Sequence, residues 1–111
     1  MSEIEKMYEN AGVKPTVRDN AIGRGYYIEH QTIEEYPTFT TEKQIEILKL
    51  LTNRCDLMIS HFTEWEFIHF DGQERTKVTG KDFTETFAKL INAYWQNFTS
   101  EEKQQVKGIL E

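Results

Sequence analysis

Three histidines (His30, His61, His69), a single cysteine (Cys55) and 19 acidic residues are the groups of this 111-residue sequence that could ligate a metal or act on a substrate. A zinc centre needs four donors, or three and a water, in short recurring spacings. No C-x-x-C or H-x-x-x-H spacing occurs here. His61 and His69 sit in neighbouring strand-like runs, with Cys55 nearby in sequence, but the set lacks a fourth ligand, and the histidines are expected at the surface or in an interface. Nucleophilic catalysis has no G-x-S-x-G elbow to start from. Cys55 follows Arg54, which favours a thiolate, yet it falls just past a predicted helix C-terminus, where the dipole opposes one. A structural cysteine is expected. Glu64 and Glu66 alternate onto one side of a strand, about 7 Å apart, a separation that glycosidases use. No cleft accompanies them. Gly23-Arg24-Gly25 lacks the flanking strand and helix of a phosphate loop and reads as a turn. The expectation is a chain without catalytic residues, metal or cofactor, and not an enzyme.

The acidic residues have a second use, in binding. The net charge is −6 and the pI is near 5.1, so phosphate backbones are repelled and direct nucleic-acid binding is disfavoured. The segment 64–74, EWEFIHFDGQE, carries Glu64, Glu66, Asp71 and Glu74 and no Lys or Arg; the segment 29–46 carries five glutamates against one lysine. Such runs are either a solvated face or a docking surface for a basic protein. The expected partner-binding residues are Glu64, Glu66, Asp71 and Glu74, with Trp65 as an aromatic anchor and Glu34 and Glu35 as a second acidic pair. Tyr26, Tyr27 and Tyr36 form the next aromatic surface. Residues 14–24 are locally basic.

Elements that must position these residues follow from periodicity. Ser2 and Glu5 form a capping box, and Ile4, Met7, Tyr8 and Ala11 follow on one helical face, with Gly12 as the C-terminal cap. This predicts a helix over 3–11. Residues 13–24 show no periodicity and are expected to be irregular. Residues 26–33 are aromatic and β-branched and predict a strand. Ile45, Ile47, Leu48, Leu50 and Leu51 predict a helix over 41–53. Residues 56–62 and 64–70 read as strands, with Trp65, Phe67 and His69 on one side, and Asp71-Gly72 signals a hairpin returning through 73–79. The strongest pattern starts at Phe83, with Phe87, Leu90, Ile91, Tyr94, Trp95 and Phe98 at offsets of 4, 7, 8, 11, 12 and 15. It predicts a core helix over 82–97. Phe87, Leu90, Ile91, Trp95, Leu48 and Leu51 are the expected core. The fold class is α+β: about four helices on a small antiparallel sheet of three or four strands, in one compact domain over 1–111.

The sequence writes one phrase twice, FTTEKQ from Phe39 and FTSEEKQ from Phe98. Ile47, Leu50 and Leu51 follow Phe39 at offsets 8, 11 and 12, and Val106, Ile109 and Leu110 follow Phe98 at the same offsets. An aromatic, a threonine cap, an acidic first turn and an apolar stripe in fixed phase describe a way to start a helix. The repeat is therefore read as one capping device used twice, with Thr40 or Thr41 and Thr99 as the caps.

The layout of IEKMYENAGVK, YPTFTTEKQIEILKLL and FTETFAKLINAYWQNFTSEEKQQVKGILE resembles a group of small hypothetical proteins from phages and prophages of Gram-positive bacteria. The resemblance covers the helical half of the chain and brings no catalytic residues with it. It implies an accessory protein that binds a host protein in the bacterial cytoplasm, with anti-CRISPR-type inhibition of a basic, nucleic-acid-binding defence nuclease as one form. A virion or replication scaffolding protein and a small-molecule binding domain are the alternatives. No apolar run approaches the roughly 18 residues of a membrane span, and the N-terminal run lacks the basic start and apolar stretch of a signal peptide, in keeping with a cytoplasmic location. The Asn97-Phe98-Thr99 sequon carries little weight without an export signal.

Overall fold

The structure, a computed structural model, describes residues 2–53 and 56–111. Among these the order is α1 (Glu3–Ala11), β1 (Thr16–Arg24), β2 (Tyr27–Glu35), α2 (Thr41–Thr52), β3 (Asp56–His61), β4 (Trp65–Asp71), β5 (Glu74–Gly80), α3 (Phe83–Tyr94), a 3-10 turn (Trp95–Asn97) and α4 (Ser100–Leu110). The α+β class holds, with two separate antiparallel sheets: β1-β2, and β3-β4-β5 in sequence order.

The body consists of the helices and the three-stranded sheet. Each helix begins where a short polar side chain accepts an orphaned backbone N–H. Ser2 accepts from Glu5 N, Thr40 from Lys43 N, Asp82 from Thr84 N and Thr99 from Glu102 N. The repeated phrase is thus two helix starts. Phe39 and Phe98 precede their caps and are buried, and Ile47 and Leu51 match Val106 and Leu110 as the fully buried positions of α2 and α4. The copies differ in one respect. Glu102 closes a full capping box by accepting from Thr99 N at 2.9 Å. In the first copy the cap is Thr40, so Gln44 lies outside a box with Thr41 and instead donates to the Phe39 carbonyl at 3.1 Å. Thr99→Ala is expected to lower stability by about 1 kcal/mol in denaturant unfolding, with partner binding unchanged; lost binding at unchanged stability would give the phrase a functional role.

The sheet's inner face carries Phe67 and His69 under α3, both buried. Phe87 is the hub, with ring centroids 5.8 Å from Phe67 and 6.2 Å from Phe39. Five of the six expected core residues are buried; Leu48 is half-buried. Phe67, absent from that expectation, is fully buried because α3 packs on β4 and β5.

The expectation of an irregular 13–24 segment is overturned. Thr16–Arg24 is a nine-residue strand paired along its whole length with Tyr27–Glu35. Its apolar residues do not alternate because, among the described side chains, neither face of this hairpin is covered, so no core imposed a period of two. Both hairpin turns place a glycine at φ +62° in the first central position, Gly25 and Gly72. The second central residues, Tyr26 and Gln73, have no positive φ, the pattern of a type II′ turn. The β4–β5 turn is therefore Gly72-Gln73, with Asp71 still paired to Glu74, one residue later than expected.

Candidate functional site

The β1–β2 hairpin is an arm. Its strands pack on each other and on no other element to a comparable extent. The molecule measures 63 × 36 × 22 Å with a radius of gyration of 17.3 Å, against about 13 Å for a compact chain of this length. Two nine-residue strands reach about 30 Å, enough to explain the difference. Two diagonal cross-strand contacts on the arm are charged: Arg18 meets Glu35 at 2.7 Å, and His30 meets Asp19 at 3.2 Å. Apolar groups collect towards the tip. Tyr26 is fully exposed, Tyr27 78% and Ile28 68%, with Val17 nearer the base at 62%. An isolated two-stranded hairpin is marginal in water, and this one holds out two tyrosine rings to solvent.

The neck joining arm to body is aromatic and acidic. Tyr36 follows β2 and stacks on Tyr8 of α1, with centroids 5.3 Å apart and planes 12° from parallel. Open grooves of about 640 and 440 Å³ flank Tyr36; Glu5, Glu34 and Glu35 line the first, Glu9, Lys14 and Glu34 the second. Desolvation, then the charges of Glu9, Glu34 and Glu5, push the Tyr36 phenol above its ordinary value.

Tyr8 is fully buried, and its hydroxyl has no hydrogen-bond partner among the described residues. Burial raises its pKa above 10. Folding therefore favours the neutral phenol, and this contribution is whole below pH 10 and is lost as pH rises through the folded-state value. Tyr8→Phe removes a buried unsatisfied group and is expected to raise stability by about 1 kcal/mol at neutral pH. The gain should widen above pH 10, where only the wild type must ionise a buried phenol; thermal melts at both pH values check this.

The structure separates the residues expected to form one acidic face. Glu66 lies on the outer face of the sheet, 3.5 Å from Lys77 on β5, so one acid of the run that lacks nearby cations in sequence gains a cation across the strand pair. Asp71, five positions along β4, points to the other face and accepts from the Tyr94 hydroxyl. Glu74 pairs with Asp71 and is exposed, while Glu64 precedes β4 in a bend. Trp65 is half-buried, 4.7 Å from His61 and edge-on to Phe83 at 4.9 Å, so it packs in the body. Glu35 is paired with Arg18, and Glu34 lines the neck. Of the expected residues, Glu34 and Glu35 therefore belong to the arm, at its base.

The surface expectation for the histidines fails at His69, which is 1% exposed. Its Nε2 faces the Leu51 carbonyl at 3.4 Å, one of the orphaned acceptors at the end of α2, and its ring meets Tyr94 edge-on at 4.4 Å. The alternation with Phe67 on β4 was the available signal. His61 and His69 are not cross-strand neighbours: His61 pairs with Trp65 and His69 with Leu57. Cys55 and Arg54 lie outside the described residues. Among the described residues no three His, Cys, Asp or Glu side chains group as metal donors, and no helix is long and apolar enough to cross a membrane.

No protein-family model, curated protein or solved structure matches this chain.

Proposed function

We propose that this chain is a non-enzymatic binding factor that grips a protein partner with its β-arm, in the manner of a phage accessory protein acting on a host protein. The observation that carries this reading is the arm itself: a hairpin unsupported on both faces with Tyr26, Tyr27 and Ile28 exposed. Tyrosine anchors are typical binding hot spots because they bury large area at small entropic cost. The partner's chemistry follows from the arm and neck together: an apolar recess for the tip, and basic groups for the carboxylates of Glu5, Glu9 and Glu34. A net charge of −6 supports attraction to a basic protein. A nucleic-acid-handling effector of bacterial defence has that character, and occupying its basic channel would inhibit it. The reading is tested by affinity capture from a Gram-positive host lysate with wild-type protein and a Tyr26→Ala/Tyr27→Ala variant side by side. A protein retained by the first and lost by the second supports it; equal retention by both sinks it.

A further inference from the structure

We infer that the free edge of β3 is a self-association surface, and that a second copy of this chain pairs with it to form a symmetric dimer. The two edges of the three-stranded sheet are built differently. β5 carries Glu74, Arg75 and Lys77, the charged residues that keep a sheet edge from pairing. β3, Asp56-Leu-Met-Ile-Ser-His61, carries no Lys and no Pro, and its pairing to β4 runs without a bulge. Its remaining backbone groups meet no other strand among the described residues.

The surface around that edge is apolar and incompletely covered. α3 lies over β4 and β5, while α2 only brushes β3. This leaves a recess of about 180 Å³ lined by Ile45, Leu48, Ile59, Phe67, Phe83 and Phe87. Ile59 is 41% exposed on the inner face, Met58 56% on the outer face, and Phe62, just past the strand, 90%. At about 200 Å² for a large side chain, the exposed parts of Ile45, Met58, Ile59, Phe62 and Phe83 present roughly 500 Å² per copy. Two copies thus offer at most about 1,000 Å² of apolar surface to bury. An interface is little more than half apolar, so burying most of it reaches the about 1,200–2,000 Å² of a specific dimer.

Symmetry restricts the register. A two-fold axis normal to the sheet makes the two β3 strands antiparallel and joins residues of like face. Centred on Ile59, it sets Ile59 against its own counterpart and Met58 against Ser60, giving one six-stranded sheet with the two recesses merged beneath it. The arms lie elsewhere and stay free, so this inference does not depend on the arm's role; a dimer would present two arms to a partner. Self-association also favours the scaffolding reading of the chain should no host partner be captured.

Sedimentation equilibrium at micromolar concentration tests the inference. Wild type is expected at twice 13.2 kDa. Ile59→Lys places two lysines face to face at the axis and is expected to sediment as monomer with unchanged circular dichroism. Phe62→Ser, at a position too exposed to affect folding, is expected to weaken the dimer at least about tenfold. A monomeric wild type overturns the inference. So does a dimer that survives Ile59→Lys, or one lost in Tyr26→Ala/Tyr27→Ala and retained in Ile59→Lys, which would move self-association to the arm.

Discussion

Phe87→Ala is expected to cost the domain about 3–5 kcal/mol, within reach of the whole stability of a chain this size. Phe87 is 2% exposed and touches three parts of the fold at once. It stacks on Phe39, the residue that leads into α2, on Phe67 in the central strand, and on Phe83 one turn back at 6.5 Å. Truncation leaves a ring-sized hole that these neighbours cannot all move to fill, so the transfer loss and the cavity term add. Phe87→Leu retains most of the volume and should cost markedly less. Trp95→Ala belongs to the same class, since Trp95 is buried against Phe98 at 5.7 Å. Urea unfolding of the variants checks the order. A Phe87→Ala midpoint equal to wild type would mean that α3 does not pack on this sheet.

For the arm the expected result is the reverse: large loss of binding and no loss of stability. Among the described residues Tyr26 and Tyr27 make no ring contact with the body, and they are 105% and 78% exposed, so their truncation leaves the melting temperature in place. Aromatic hot spots are worth about 2 kcal/mol or more each, so Tyr26→Ala/Tyr27→Ala should weaken partner binding by at least about 100-fold. Wild-type affinity should also fall as salt rises, because neck carboxylates and a basic partner attract through solvent that screens charges beyond about 8 Å. The contrast is Glu64→Lys/Glu66→Lys/Glu74→Lys. Glu66 already has Lys77 beside it, so this triple reversal is expected to change binding far less than the arm variant. Calorimetry on the captured partner decides between the surfaces: a triple variant that fails to bind, with an arm variant that binds normally, would return the site to the 64–74 segment.

Much of the body was legible in residue order because its signals are local. The cap at Thr99 with Glu102, the stripe from Phe83 to Phe98 and the paired offsets after Phe39 and Phe98 concern residues within a few turns of each other, where hydrogen-bond geometry and the 3.6 period act directly. The α+β class followed from these elements. Three things were settled only in three dimensions. Of the arm, the strand expected over 26–33 is present as β2, but its partner Thr16–Arg24 was missed, because the usual strand signal is alternation imposed by a covered face and the described side chains of this strand have none. The acidic run of 64–74 lost its unity because alternation sends Glu66 and Asp71 to opposite sides of the sheet, while strand pairing brings Lys77 to Glu66 from a part of the sequence that looked remote. His69 went inside because it shares the face of β4 that carries Phe67 and lies under α3; that its Nε2 then meets the Leu51 carbonyl at the end of α2 was settled only by how that helix packs. Sequence determined where helices start and which of their faces are apolar, since those are questions about neighbours along the chain; tertiary structure decided which strands are left bare, which charges are paired and which edge stays open, since each depends on what another element happens to cover.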